Sequence, residues 1–155
     1  MRRLQAEVRQ TKGFSSLEAE AYLNLYRTAD VAVRATEELL KPVGLSQSQY
    51  NVLRILRGAG DEGLTPSQVS ERLLTRDPDV TRLIDRLGRG RLVTRRRDQR
   101  DRRAVTLRIT NEGVALLKRL DEPAEALPKR LLGHLGARRL RLLIGLLEAA
   151  RAVNK

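Results

Sequence analysis

Residues 89–103 read RGRLVTRRRDQRDRR and contain eight arginines and two aspartates. Their net charge of +6 (eight minus two) is half of the formal +12 of the whole chain. The preceding residues 79–88, DVTRLIDRLG, place apolar residues at the i, i+3, i+4 and i+7 positions of a helix. The following residues 105–109, VTLRI, alternate apolar and polar residues like a strand with one buried face. These patterns predict an arginine-rich β-hairpin directly after an amphipathic helix.

Two capping boxes mark helices that precede the hairpin. Ser46 with Gln49, and Thr65 with Gln68, have the Ser/Thr-x-x-Gln spacing that starts a helix. From Thr65 we expect a helix of about ten residues, with Leu74 among its apolar residues.

A short turn then leads into the amphipathic helix. We expect Asp77 to cap this helix and Pro78 to be its first residue. The strands of the hairpin are expected over residues 92–97 and 103–109, with the tip at 98–102. Two short helices that are joined by a tight turn and followed by a basic hairpin form a winged helix-turn-helix.

Longer helices are predicted on both sides of this segment. The first begins after the cap Ser16 and ends near Lys41. After the hairpin, Thr110 is expected to cap a helix that Pro123 and Pro128 kink or interrupt.

The last predicted helix, residues 137–153, has more Leu and Ile than one narrow stripe requires. A helix that is apolar around much of its surface has to be covered on more than one side. In a chain of 155 residues, a partner subunit is the expected cover. The predicted fold is therefore mainly α with a small β-hairpin wing: a winged helix-turn-helix domain flanked by N- and C-terminal dimerisation helices.

The composition narrows the function classes. A hydrophobic content of 41% suffices for one folded domain over residues 1–155. The chain has no Cys, which excludes disulfides and thiol sensing, and its lone His134 argues against a histidine metal site or a catalytic triad. We expect no enzyme activity, cofactor or metal. No apolar run approaches the ~20 residues of a membrane span, and residues 1–12 are polar and charged, so a cytoplasmic protein without a membrane partner is expected.

The basic hairpin and the helix before it predict a DNA-binding surface. A helix in the major groove reads base edges, and arginines on a hairpin attract phosphates or enter the minor groove. Arg82 and Arg86 could each bind guanine through two hydrogen bonds, and Asp85 is expected to orient one of them or to accept a hydrogen bond from cytosine. The candidate DNA-binding residues are Ser67, Gln68, Asp79, Thr81, Arg82, Asp85, Arg86, Arg95, Arg97, Arg100, Asp101, Arg102 and Arg103.

The same segment resembles the MarR family of bacterial transcriptional regulators from about residue 45 to residue 120. The wing motif that follows Gly-Arg-Leu-Val is fairly specific, whereas many families share a helix-turn-helix. The motifs are LTPSQVSERL at 64–73, DVTRLIDRL at 79–87, GRLV at 90–93, DQRDRR at 98–103 and LRITNEG at 107–113.

The resemblance implies a homodimer that straddles a pseudo-palindromic site on double-stranded DNA. Residues 14–44 and 111–155 would form the dimerisation helices, and residues 45–110 the winged helix-turn-helix. By the same resemblance, Asp101 and Arg103 help to fix the wing, and the arginine that enters the minor groove is Arg103 or its neighbours Arg100 and Arg102. Many members of the family lose DNA affinity when a phenolic or other aromatic anion binds. Others respond to cysteine oxidation, which is excluded here because the chain has no Cys.

Two interpretations remain open for the tyrosines. Tyr22 and Tyr26 are one helical turn apart, and Tyr50 starts the next helix. They could line a pocket for a small-molecule effector, although core packing with the hydroxyl at the surface is the commoner role.

Two functions also remain open. One is a dimeric DNA-binding regulator, with a repressor favoured over an activator. The other is a winged-helix module that binds protein or RNA without operator specificity. Arg82 and Arg86 on the open helix face favour the first, because a partner-binding winged helix would more often present an apolar or acidic face there. The operator, the regulated genes and the effector do not follow from the sequence.

Overall fold

The structure is a computed structural model that describes residues 3–75, 79–97 and 105–152. The chain divides into two compact units, Met1–Thr36 and Glu37–Lys155. The described helices are α1 (Arg3–Glu7), α2 (Leu17–Leu40), α3 (Gln47–Ala59), α4 (Pro66–Arg72), α5 (Val80–Arg89), α6 (Asn111–Leu132) and α7 (Gly136–Ala152), and the described strands are β1 (Val93–Arg97) and β2 (Val105–Ile109). This mainly helical architecture with a two-stranded wing confirms the predicted fold class.

The N-terminal unit consists of α1 and most of α2. Ser16 caps α2 as predicted, because its hydroxyl accepts a hydrogen bond from the backbone N–H of Ala19 at 3.1 Å. Leu4 on α1 is buried, with 5% of its surface exposed. On the surface of α2, both carboxylate oxygens of Asp30 accept hydrogen bonds from Nε of Arg34, at 3.1 and 3.0 Å. The helix ends at Leu40, next to the predicted end, and a short 3₁₀ turn containing Pro42 follows.

The core of the second unit brings together the winged helix-turn-helix and the start of α6. Burial of these apolar side chains is the main stabilising contribution to the unit. The buried cluster comprises Leu40, Tyr50, Val52, Leu53, Leu56, Leu64, Val69, Leu83, Ile84, Leu87, Val93, Leu107, Leu117 and Leu120.

Both predicted capping boxes are present and fix the starts of α3 and α4. The Ser46 hydroxyl accepts from the N–H of Gln49 at 3.2 Å, and the Gln49 side chain accepts from the N–H of Ser46 at 2.9 Å. Thr65 and Gln68 make the same reciprocal pair at 3.3 and 2.9 Å. Each box satisfies two backbone donors that the first helical turn would otherwise leave unpaired.

The hairpin is antiparallel and runs in register from Val93 opposite Ile109 to Arg97 opposite Val105. Leu64, between α3 and α4, forms a bridge to Leu107 with backbone hydrogen bonds of 3.0 and 2.8 Å. The sequence did not predict this bridge. It attaches the wing to the helix-turn-helix, and so holds the basic strands close to α5.

Three details of the expected helices are wrong. Helix α4 has seven residues instead of about ten, because Leu73 already adopts an extended backbone, and Leu74 lies outside it with 81% of its surface exposed. Helix α5 begins at Val80 with Asp79 as its cap, so Asp77 is not the cap and Pro78 is not the first helical residue. The carboxylate of Asp79 accepts from the N–H of Arg82 at 2.9 Å, which fixes this later start.

The third correction concerns α6, which the two prolines do not interrupt. The helix continues from Asn111 to Leu132 with Pro123 and Pro128 inside it. Leu117, Leu120 and Leu127 are buried on one side of this helix, and tertiary packing of an apolar face can outweigh unfavourable local propensity. The predicted break at residues 133–136 is confirmed by a 3₁₀ turn before α7. In the ranges that the structure describes, none of the helices has the length and apolar character to cross a membrane.

Candidate nucleic-acid interface

Helix α5 presents a polar face to solvent, as its periodicity predicted. Leu83, Ile84 and Leu87 are buried, with exposed fractions of 9%, 1% and 1%. The side chains on the opposite face are exposed and able to form hydrogen bonds: Thr81, Arg82, Asp85, Arg86 and Arg89. The buried stripe anchors the helix, and the exposed face is left available to a ligand.

Asp85 pairs with a residue of the wing, and not with the arginines of its own helix. We expected Asp85 to orient Arg82 or Arg86, but its carboxylate accepts a hydrogen bond from the guanidinium of Arg95 on β1. In the strand register Arg95 lies opposite the buried Leu107, and therefore on the side of the hairpin that faces the core. This ion pair joins the exposed face of α5 to the first strand of the wing.

The remaining arginines of this surface are less constrained. The side chains of Arg82, Arg86, Arg89 and Arg96 are exposed and form no ion pair with any residue for which the structure gives a position. The sequence analysis did not select Arg89 or Arg96. Their membership of the arginine cluster was the signal that could have found them.

Two candidate residues of α4 are exposed and partly engaged within their own helix. The hydroxyl of Ser67 donates to the carboxylate of Glu71 at 3.3 Å. The side-chain oxygen of Gln68 accepts from the N–H of Thr65 in the capping box. For Gln68, the amide nitrogen is therefore the polar group that remains for an external partner.

The tip of the wing lies outside the described residues. Arg97 ends β1 and its backbone pairs with Val105. The predictions for Arg100, Asp101, Arg102 and Arg103 remain predictions, because these four residues fall in the gap between 97 and 105.

The three tyrosines have different environments. Tyr22 and Tyr26 belong to the N-terminal unit, where their exposed rings have centroids 6.4 Å apart. Tyr50 belongs to the core of the second unit, and the guanidinium of Arg54 lies 5.7 Å from the centroid of its ring. Core packing therefore accounts for Tyr50, and a shared effector pocket for all three rings remains a prediction.

A cavity in the N-terminal unit and the acidic side chains complete the survey of sites. The cavity has a volume of about 390 Å³, and its lining includes Leu4, Val8, Leu23 and Tyr26. In the described ranges, no three His, Asp or Glu side chains are grouped in a way that could hold a metal ion.

Comparison with known proteins identifies the family. The sequence model of the MarR family matches residues 43–104. The crystal structure of a MarR transcription factor from Planctomyces limnophilus is similar to this chain, with 44% sequence identity, a TM-score of 0.68, and coverage of 88% of this chain and 99% of that one. This chain belongs to the MarR family. The resemblance that the wing and helix motifs indicated is therefore confirmed.

Two further MarR-type proteins show how far the similarity extends. The HTH-type transcriptional repressor YetL of Bacillus subtilis is 29% identical over 99 residues, which are 64% of this chain and 59% of YetL. The matched part thus spans about three fifths of that relative. A MarR mutant from Escherichia coli, solved in complex with operator DNA, is 25% identical with a TM-score of 0.76, and covers 88% of this chain and 99% of its own.

Proposed function

We propose that this MarR-family chain is a sequence-specific DNA-binding transcriptional regulator, and that it acts as a homodimeric repressor on a pseudo-palindromic operator. The observation that carries the proposal is the exposed face of α5, where Arg82 and Arg86 stand beside a basic strand that Asp85 and Arg95 tie to the helix. The E. coli MarR protein, whose fold is similar, was crystallised with operator DNA, which supports the same role for this chain.

In the proposed complex, α5 lies in the major groove and the wing lies beside it. Arg82 and Arg86 would bind base edges, because a guanidinium can donate two hydrogen bonds to guanine. Thr81 is small enough to contact a thymine methyl group or a backbone phosphate. Ser67 and Gln68 near the start of α4 would contact phosphates, which position the protein without reading sequence.

The wing would supply the electrostatic part of the affinity. Arg95, Arg97, Arg100, Arg102 and Arg103 are assigned to phosphates and to the minor groove, where a narrow width strengthens the negative potential. Asp79 and Asp101 are not phosphate ligands in this assignment. Asp79 caps α5, and Asp101 is assigned to holding the wing.

Two copies of the chain would give the two-fold symmetry that a pseudo-palindrome requires. Residues 14–44 and 111–155 are assigned to the dimer, and residues 45–110 to DNA. Exposed apolar side chains on both terminal helices support this division, since contiguous exposed apolar surface marks interaction sites. A small aromatic or phenolic ligand would release the DNA, with Tyr22, Tyr26 and Tyr50 as its candidate contacts.

The test is equilibrium binding of the purified chain to the DNA upstream of its own gene and to a random duplex, each at two salt concentrations. The proposal predicts tighter binding to one sequence and an affinity that falls steeply as salt rises, because phosphate contacts release counterions. Equal, weak binding to both duplexes would remove the upstream segment as the operator. In that case, selection from a random library should still yield a sequence, and failure to enrich any sequence would contradict the proposal.

A further inference from the structure

Helix α7 has two apolar faces, and only one of them is packed. Leu140, Leu143 and Leu147 are half-buried and spaced i, i+3 and i+7, so they form the side that packs on the rest of the chain. The opposite side carries an exposed apolar stripe, which we call the α7 seam. The α7 seam consists of Leu142, Gly145, Leu146 and Ala149, spaced i, i+3, i+4 and i+7.

The α7 seam has the composition of a helix-packing surface. Leu142 and Leu146 are 63% and 60% exposed. Gly145 has no heavy atom within 4 Å of the position of a Cβ, so there is open space above it. Small residues such as Gly145 and Ala149 let the axis of a second helix approach closely, and the two leucines supply apolar area to bury.

Helix α2 carries a matching stripe, which we call the α2 seam. It consists of Tyr22, Leu25, Tyr26, Ala29 and Val33, spaced i, i+3, i+4, i+7 and i+11, and all five side chains are exposed. Tyr22, Leu25, Tyr26 and Val33 are 64%, 48%, 70% and 39% exposed. A monomer would leave both seams in water, where their apolar area is unfavourable.

The charges at the ends of the two seams are opposite. Arg138 lies one helical turn before Leu142 on α7, and Arg141 directly precedes it. On α2, Glu18 lies one turn before Tyr22, and Glu37 lies one turn after Val33. Where the structure gives positions, none of these four charged groups forms an ion pair.

We propose that the α7 seam of one chain packs on the α2 seam of a second copy, with Arg138 and Arg141 pairing with Glu18 or Glu37 of that copy. The inference rests on the homodimer proposed above and specifies which helix faces form it. Apolar contact would provide most of the affinity, and the end charges would fix the register and orientation of the helices. Pairing with Glu18 corresponds to parallel helices, and pairing with Glu37 to antiparallel ones.

The test of the apolar contact is sedimentation equilibrium of the full chain with one seam residue changed. Leu146→Asp should weaken the dimer by about tenfold or more, since a buried carboxylate in an apolar contact is strongly unfavourable. Leu74→Asp is the matched control, because Leu74 is also highly exposed and belongs to neither seam. Its dimer should be as tight as that of the wild type.

The test of the charge pairing uses the double variant Arg138→Glu, Arg141→Glu. This variant should weaken self-association, and mixing it with a Glu18→Arg or a Glu37→Arg chain should restore a heterodimer. Arg119→Glu with Arg130→Glu, two exposed residues of α6, is the control for net charge.

The outcomes separate this inference from the dimer itself. A wild-type dimer that Leu146→Asp leaves unchanged would overturn the seam pairing and leave the homodimer standing. A heterodimer restored by neither glutamate variant would overturn the charge pairing. A wild-type chain that stays monomeric at micromolar concentration would contradict the proposed homodimer.

Discussion

The contact between Asp85 and Arg95 links two residues that the sequence places separately on the DNA-binding surface. Both side chains are about half exposed, at 47% and 45%. An exposed ion pair of this kind contributes about 0–1 kcal/mol to stability, so DNA could displace it. The effect of the pair should therefore appear in how the wing is oriented against α5, and less in the stability of the fold.

Changing Asp85 should alter DNA discrimination more than folding. Asp85→Asn removes a negative charge from the DNA-facing side and weakens the hold on Arg95. We expect the affinity for a random duplex to rise and the ratio of operator to random affinity to fall. The measurement is binding to both duplexes at fixed salt, together with Arg95→Gln and the double variant. If the effects of the two single variants simply add, the pair has no coupling and the assignment is wrong.

Arg82 and Arg86 are predicted to read sequence. Arg82→Ala or Arg86→Ala should lose about 1–3 kcal/mol of discrimination at one base pair and leave binding to random DNA nearly unchanged. In contrast, Arg100→Ala or Arg103→Ala should weaken binding to every duplex and lower the salt slope by about one for each lost contact. Equal losses on operator and random DNA for all four variants would contradict this division of roles.

Gly113 is predicted to be required at the junction between the wing and α6. A Cβ at this position would lie 2.6 Å from the carbonyl oxygen of Leu92 and 2.7 Å from Cγ1 of Ile109. Because a backbone atom cannot easily move away, Gly113→Ala should lower the free energy of unfolding by about 1–3 kcal/mol in urea titrations. Gly88→Ala is the control, since its nearest contact is an ordinary 3.8 Å. A Gly113→Ala protein as stable as the wild type would show that the junction relaxes freely.

At the scale of elements, local signals predicted what local interactions determine. The caps at Ser16, Ser46, Thr65 and Thr110 each join residues three apart, and all four are present. The start of α5 was misplaced by two residues because two aspartates near its N-terminus could each act as a cap, and a sequence does not show which one accepts the hydrogen bond.

Non-local contacts account for what the sequence did not predict. The bridge between Leu64 and Leu107 joins residues far apart in the chain, and no periodicity reports such a pairing. The partner of Asp85 was missed for the same reason, since Arg95 is on a different element. The polar face of α5 was predicted in full because a single helix determines it.

The ion pair between α3 and α6 gives a pH-dependent prediction. Arg57 donates two hydrogen bonds to Asp121, at 2.9 and 2.8 Å, and they hold the pKa of Asp121 below its ordinary value of 3.8. A lowered folded-state pKa means that the stabilisation is present above the unfolded-state pKa and is lost as the pH falls through the folded-state value.

The free energy of unfolding of Asp121→Asn should therefore lie below that of the wild type at neutral pH and approach it in acid. The measurement is urea unfolding of both proteins from about pH 7 down to about pH 2. Glu122→Gln is the control, because Glu122 is exposed and has no ion-pair partner among the residues with described positions. A difference between Asp121→Asn and the wild type that stays constant across this range would contradict a role for the charge.

At the scale of the whole molecule, the family motifs and the distribution of charge predicted a DNA-binding winged helix in the MarR family, and the family is confirmed. The faces that would join two copies are not apparent from composition. They depend on which side of α7 the rest of the chain already covers, and only the structure gives that burial.

The most direct test of a dimeric winged helix on DNA is a hydroxyl-radical footprint of the wild-type chain on a selected operator. Two copies of α5 related by two-fold symmetry predict two protected segments about 10 base pairs apart, centre to centre, with further protection where the wings meet the flanking DNA. Arg82→Ala with Arg86→Ala should abolish this pattern on the operator. A single protected segment, or protection that is uniform along the duplex, would contradict a symmetric, sequence-reading dimer.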